Sequence, residues 1–286
     1  MHPFGYQRPA TVAEAVELLA TYGPRARLLA GGTDLLIGLR DRTVTPELVI
    51  DLKRIAELRP VVRETRGALI LSATAVMADL ADDPRIERLF PALAEAAAVV
   101  GSVQIRNRAT LVGNICHGSP AADTAPPLLV YGAVVAIAGP DGTRRIDLDD
   151  FITGPHTTGL RRGELVTAVE LPLPPRRTGS AYTRLTRRWG TDLASVTMCV
   201  AVDEAGTTRL AYGSVGPRPV LRVDGSGVLV SPTAPDDEKA RVLDGLLAGA
   251  EPSPRSMRAG PEYRLAMLRV LGRRALQTAL ERLAKG

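Results

Sequence analysis

Two glycine-bearing segments about eighty residues apart carry the residue types best suited to gripping an anion with the main chain. The first is Leu28-Leu29-Ala30-Gly31-Gly32-Thr33-Asp34-Leu35. The second runs Thr110-Leu111-Val112-Gly113-Asn114 and on to Ser119-Pro120-Ala121-Ala122-Asp123. Small residues let peptide N–H groups approach phosphate oxygens with no Cβ in the way. Together the segments read as two halves of one dinucleotide cradle, which points to a cofactor-carrying redox protein. An Asp34 carboxylate aimed at a diphosphate would be repelled, so Asp34 is expected to cap the turn that follows, leaving neighbouring amides to the phosphates. Asn114 offers both a donor and an acceptor. Asp123 is either an acceptor for a ribose or adenine group or the N-cap of the apolar stretch after it. Neither a Gly-x-Gly-x-x-Gly nor a Walker-type lysine motif is present, so the common nucleotide fingerprints do not apply.

Other chemistry finds little support. Cys116 and Cys199 are the only cysteines and no Cys-x-x-Cys exists, which argues against an iron–sulfur cluster or structural zinc built by this chain alone. Cys116-His117 reads as packing and loop polarity, and His156 in Gly154-Pro155-His156 as a surface turn. Trp189 either stacks on a partner or a cofactor edge or packs half-buried. No Ser-His-Asp order stands out, so no catalytic side chain and no metal ligand is assigned. With one Trp, six Tyr and three Phe, the chain lacks stacking platforms for single-stranded nucleic acid. Its formal charge of +5 comes from scattered arginine doublets rather than a basic block, so no nucleic-acid partner is expected. The start, Met1-His2-Pro3-Phe4, has no signal pattern and no apolar run reaches spanning length, which predicts a cytoplasmic protein without a transmembrane segment.

The elements that must position these residues begin with Thr11-x-x-Glu14, a capping box ahead of an apolar stripe at Val12, Ala15, Val16 and Leu19. Gly23-Pro24 ends that helix. Strands are expected over 27–30 and 48–52, with Gly31-Gly32 and a short helix between them, an α/β unit. Further on, strands are expected over 69–73 and 165–171 and helices over 77–81, 91–100 and 123–131. Pro140-Asp141-Gly142 between 133–138 and 143–148 signals a hairpin. Pro172-Leu173-Pro174-Pro175 marks a boundary. Beyond it 181–185, 195–202 and 207–215 suggest an antiparallel meander. Two helices follow, the last from Pro261 with a stripe at Leu265, Leu268, Leu271, Ala275, Ala279 and Leu283. The expected organisation is three parts: residues 1–55, 56–175 and 176–286.

On these residues the chain resembles the FAD-binding medium subunits of the molybdenum hydroxylases, the group of xanthine, aldehyde, aromatic-thioester and carbon monoxide dehydrogenases. The family's Leu-x-Ala-Gly-Gly-Thr-Asp-Leu loop matches Leu28 to Leu35. Its Gln-Ile-Arg-Asn-Arg-x-Thr-x-Gly-Gly-Asn and Ser-Pro-x-x-Asp match Gln104 to Asn114 and Ser119 to Asp123. Its Ser-Ala-Tyr-x-x-x-x-Arg-Arg matches Ser180 to Arg188, and motifs of its last helix match Tyr263-Arg264 and Arg273 to Leu276. The resemblance implies an α+β chain: a vanillyl-alcohol-oxidase-type FAD-binding fold of two α/β subdomains, with a C-terminal subdomain of antiparallel strands and helices. It implies that Leu28, Leu29, Ala30, Gly31, Gly32, Thr33, Asp34 and Leu35 hold the pyrophosphate and part of the flavin wall. Thr110, Gly113, Asn114 and Asp123 continue the cradle, Leu193 lies against the isoalloxazine, and Thr183 falls at or beside a position that is lysine in some members, where Arg184 would be the substitute. Val112 replaces the first glycine of the family's Gly-Gly pair, which would narrow the backbone approach to the cofactor. Thr33 stands where carbon monoxide dehydrogenases carry histidine, which points away from that subclass. The first loop has no histidine or cysteine for a covalent flavin bond, so the FAD is expected to be non-covalent.

The implied role is electron transfer in a heterohexameric complex. Molybdopterin would sit on a large subunit and 2Fe–2S clusters on a small one, with electrons passing through FAD here to NAD, oxygen or a quinone. The alternatives are a stand-alone FAD-dependent oxidase or dehydrogenase of a small molecule on the same fold, and a flavin-free binding module.

Overall fold

The computed structural model describes residues 1–59 and 61–285. The chain opens with strand β1 (Gly5–Gln7), helix α1 (Val12–Tyr22), β2 (Ala26–Leu29), α2 (Leu35–Asp41) and β3 (Leu48–Asp51). The three strands form a parallel sheet in the order β1-β3-β2, with β3 buried along its length. The capping box forms in part: Thr11 Oγ1 accepts from the Glu14 N–H at 3.1 Å. The Glu14 carboxylate reaches the N–H of Ala10, one residue earlier than the motif supposes. β1, absent from the sequence reading, is a three-residue edge strand with no burial pattern to announce it.

A second sheet of five strands is antiparallel throughout and runs from edge to edge as 62–64, 68–72, 165–172, 134–139 and 142–147. Its leading strands are β4 (Val62–Glu64) and β5 (Ala68–Ser72). Helices α3 (Met77–Ala81), α4 (Pro84–Leu89), α5 (Pro91–Ala98), α6 (Val103–Arg106), α7 (Leu111–His117) and α8 (Ala125–Val130) follow. The hairpin β6 (Val134–Gly139) and β7 (Gly142–Asp147) comes next, turning at Pro140-Asp141 as its residues predict. A short α9 (Leu148–Phe151) and the ribbon β8 (Ile152–Gly154) and β9 (Thr157–Thr158) lead to the central strand β10 (Leu165–Pro172).

Gly113-Asn114 is not the open bend that its composition suggests. It lies inside α7, where Thr110 is the N-cap and its Oγ1 accepts from the Gly113 N–H at 3.0 Å. Burial of Leu111, Val112 and Ile115 along one side overrides the glycine's poor helix propensity.

The third sheet is a meander of β11 (Thr178–Leu185), β12 (Val196–Asp203), β13 (Thr208–Gly213) and β14 (Val220–Asp224). Helices α10 (Asp236–Leu247) and α11 (Pro261–Lys285) complete the chain. Alternation along β12 sends Cys199 and Ala201 into the core of the N-terminal part, and Val196, Met198, Val200 and Val202 into a second core with α10 and α11. α11 lies so close to β11 that a Cβ on Gly179 would overlap the Ala279 carbonyl. The stripe of α11 runs as expected from Leu268 to Leu283, but its first buried member is Arg264 rather than Leu265.

Candidate functional site

The first glycine bend leaves β2 and packs onto the chain just ahead of the second segment. Gly31 lies against Arg108 and Ala109, so that a Cβ there would collide with the Arg108 carbonyl. Gly32 takes φ +81°, a left-handed conformation that strains any residue with a Cβ. On the other side, the Met77 N–H donates to the Ala109 carbonyl at 2.9 Å and the Leu111 N–H to Ala75 at 3.1 Å, fixing Thr110 at the mouth of α7. The first segment, far away in sequence, therefore packs against the backbone immediately ahead of the second.

The bend carries a row of free donors. Among the described residues, none of the peptide N–H groups of Gly31, Gly32, Thr33, Asp34 or Leu35 has a hydrogen-bond partner, although the loop is half-buried apart from Asp34. Enclosed main-chain donors are rarely left unpaired. Asp34 occupies the N-cap of α2, but its carboxylate makes no capping bond. Its backbone is already helical (φ −95°, ψ −43°), whereas a capping side chain needs an extended backbone to reach back. The expected capping by Asp34 is therefore not made, and the Leu36 N–H donates instead to the Gly32 carbonyl at 3.0 Å.

Lys53, which the sequence does not single out, supports the bend from behind. Its ammonium donates to the Ala30 carbonyl at 3.3 Å and pairs with Asp51 at 2.6 Å. Burial raises the Asp51 carboxyl, but hydrogen bonds from Lys53 and the Tyr6 hydroxyl outweigh it and hold Asp51 below its ordinary value, so it stays ionised. A half-buried cation thus stands beside the donor row.

From Thr110 the site continues through polar contacts. The Thr124 hydroxyl donates to Asn114 Oδ1 at 2.8 Å, which orients the amide. Asp123 is buried and caps nothing. Its Oδ1 accepts from the Tyr182 hydroxyl at 2.6 Å and its Oδ2 from Arg184 at 3.2 Å, so it joins α8 to the C-terminal sheet. Burial pushes the Asp123 carboxyl above its ordinary range, against the pull of Tyr182 and Arg184. Alternation along β11 puts Tyr182 and Arg184 on the face toward Asp123. Thr183 stands with Leu185 on the face of the second core. Leu193, 55% exposed, lies on the loop between β11 and β12.

Val112 points into the core at 5% exposure, so its side chain does not narrow the approach to the bend as the sequence suggests. Trp189 is fully exposed, which overturns the half-buried packing reading. His156 is in a surface turn at φ +55° and stacks edge-on with His117 at 4.8 Å. Burial pushes the Cys116 thiol up to about 12, an unreactive state. Among the described residues, no three His, Cys, Asp or Glu side chains gather to hold a metal, and no helix is long and apolar enough to cross a membrane.

An adjoining row of free amides, paved by glycine and braced from behind by the Lys53–Asp51 ion pair, suits the diphosphate of a dinucleotide. The fold supplies the wider comparison. The structure superposes on the carbon monoxide dehydrogenase of Hydrogenophaga pseudoflava with a TM-score of 0.89, at 33% identity and 99% coverage of both chains. It superposes on quinoline 2-oxidoreductase from Pseudomonas putida 86 with a TM-score of 0.85, at 28% identity and 98% coverage of both. This defines the class: an α+β chain that shares its whole fold with a subunit of these oxidoreductases.

Residues 2–174 match the model of the FAD binding domain in molybdopterin dehydrogenase, and residues 180–279 that of the CO dehydrogenase flavoprotein C-terminal domain. The chain is 34% identical to the carbon monoxide dehydrogenase medium chain of Hydrogenophaga pseudoflava, over 98% of each. It is 32% identical to a putative xanthine dehydrogenase FAD-binding subunit of Escherichia coli, over 96% of this chain and 95% of that one. The chain belongs to the family of FAD-binding subunits of the molybdopterin dehydrogenases.

Proposed function

We propose that this chain is the FAD-carrying electron-transfer subunit of a molybdenum hydroxylase complex. It works in the cytoplasm beside a molybdopterin-binding large subunit and a 2Fe–2S small subunit. When bound, FAD supplies the redox chemistry that takes electrons from the iron–sulfur clusters to NAD, oxygen or a quinone. The observation that carries the reading is the contact of Gly31 with Arg108 and Ala109, which brings the row of free N–H groups beside the mouth of α7.

The chain's own residues then divide the work. Leu28 to Leu35 form the first wall, with the amides of Gly31 to Leu35 as donors to the diphosphate. Thr110, Gly113, Asn114 and Asp123 line the continuation, and Leu193 offers an apolar wall to the flavin. Arg184, not Thr183, brings positive charge to the Asp123 side of β11. Substrate oxidation is left to the large subunit, in keeping with relatives named for carbon monoxide, glyceraldehyde, nicotinate and caffeine.

The test is purification alone and with the two companion chains, read by absorbance. A yellow protein that releases its FAD on acid precipitation, and oxidises substrate only as the three-chain complex, is expected. Complete turnover by the lone polypeptide would overturn the subunit role, and a featureless spectrum after FAD addition would overturn the flavin role.

A further inference from the structure

The structure holds a cavity of about 460 Å³ where the N-terminal part meets the C-terminal sheet, and none of the glycine-bend residues lines it. Its walls include Phe90, Tyr131, Leu173, Pro174 and Ala201, with Arg209 at the rim. That volume falls within the roughly 300–1,000 Å³ of small-molecule sites. Beyond the electron-transfer role, we propose that this cavity binds a small amphiphilic carboxylate, its tail inside and its carboxylate on Arg209.

The apolar end of the argument rests on polar groups already satisfied. The Tyr131 hydroxyl is taken up by the Ser180 hydroxyl at 2.5 Å and the Ala92 N–H at 3.1 Å. The Thr178 hydroxyl donates to the Arg176 carbonyl at 3.1 Å. Phe90 meets Tyr131 edge-on at 5.0 Å, presenting carbon to the space. A wall with these needs met favours hydrocarbon over water.

The charged end rests on Arg209. Directly opposite Ala201 in the β12–β13 ladder, it makes one long contact, 3.5 Å to the Val130 carbonyl, and has no ion-pair partner among the described residues. Its remaining N–H donors match a carboxylate in fork geometry. The nearby Asp203 carboxylate is occupied through Oδ1 by the N–H groups of Ala205 at 3.0 Å and Thr207 at 2.9 Å, within its own turn. Arg209 is therefore the one cation in a largely apolar lining, and the one anion there, Asp203, is held toward its own turn rather than paired with it.

The probe is octanoate, titrated by calorimetry into the FAD-saturated full chain, with octylamine as the cationic counterpart. One octanoate per chain is expected, with little response to octylamine. Arg209→Gln, at an exposed position, is expected to weaken octanoate about tenfold or more, with circular dichroism and FAD content unchanged. Ala201→Leu, which adds carbon to the cavity, should weaken it as well. No binding in the millimolar range, equal binding of octylamine, or wild-type affinity in Arg209→Gln would each overturn the proposal.

Discussion

Glu95 on α5 and Arg282 on α11, 187 residues apart, form an ion pair across the junction of the two parts of the chain. The other Glu95 oxygen accepts from the Tyr182 N–H at 2.8 Å, and Arg282 also donates to the Ser180 carbonyl at 2.6 Å. One carboxylate thus ties β11 and α11 to the FAD-binding part. Glu95→Ala would leave the Tyr182 N–H and the guanidinium without their acceptor, and should cost about 1–3 kcal/mol. Urea unfolding measures it, and Glu95→Gln should recover part of the loss.

Gly31→Ala should separate the two halves of the cradle. The new methyl would meet the Arg108 carbonyl, which is main chain and cannot swing aside. FAD affinity should fall at least tenfold, measured by flavin fluorescence on titration, with a stability loss of about 1–3 kcal/mol. Gly67→Ala is the control, because a Cβ there meets nothing within 4 Å.

Asp123 and Arg184 are both largely buried, at 11% and 14% side-chain exposure. Replacing either alone strands the other charge, so Asp123→Asn and Arg184→Met should each destabilise by about 3 kcal/mol or more. The double variant should recover a coupling of about 1–3 kcal/mol. Thermal unfolding of the four proteins closes the cycle, and additive losses would show that the pair is not coupled.

Glu164 is gripped by Arg144 through two 2.7 Å bonds and accepts the Arg161 N–H at 2.6 Å. The Arg144 hydrogen bonds outweigh partial burial and hold its carboxyl below the ordinary 4.5. A carboxyl depressed in the folded state stabilises above its ordinary value, and that contribution disappears as pH falls through the depressed one. Glu164→Gln should therefore lower stability at pH 7 by about 1–2 kcal/mol and flatten the acid limb of the unfolding profile below about pH 5.

The sequence disclosed those features that depend on local chemistry. Thr11 and Glu14 announce α1, Pro140-Asp141-Gly142 announces the hairpin, and the stripe from Leu268 to Leu283 announces α11. What it concealed depends on distant partners. Gly113-Asn114 looks like a bend because nothing nearby reveals that Leu111, Val112 and Ile115 are buried together. Lys53 follows a strand among ordinary residues, and only the fold brings its ammonium to Ala30. Asp123 has the position of a cap, but Tyr182 and Arg184 arrive from sixty residues away (|i−j| of 59 and 61) and claim it. Arg264 heads an apolar stripe, and only the fold brings its Nε to the Ser195 carbonyl at 3.0 Å.

Strand β12 belongs to two cores at once, and Cys199 is fully enclosed on the side facing the N-terminal part. Burial raises that thiol well above its ordinary value. A maleimide reagent can reach the sulfur only when the packing over that side of β12 opens. The rate of Cys199 alkylation is thus a built-in clock for that opening, read by mass without any added label site.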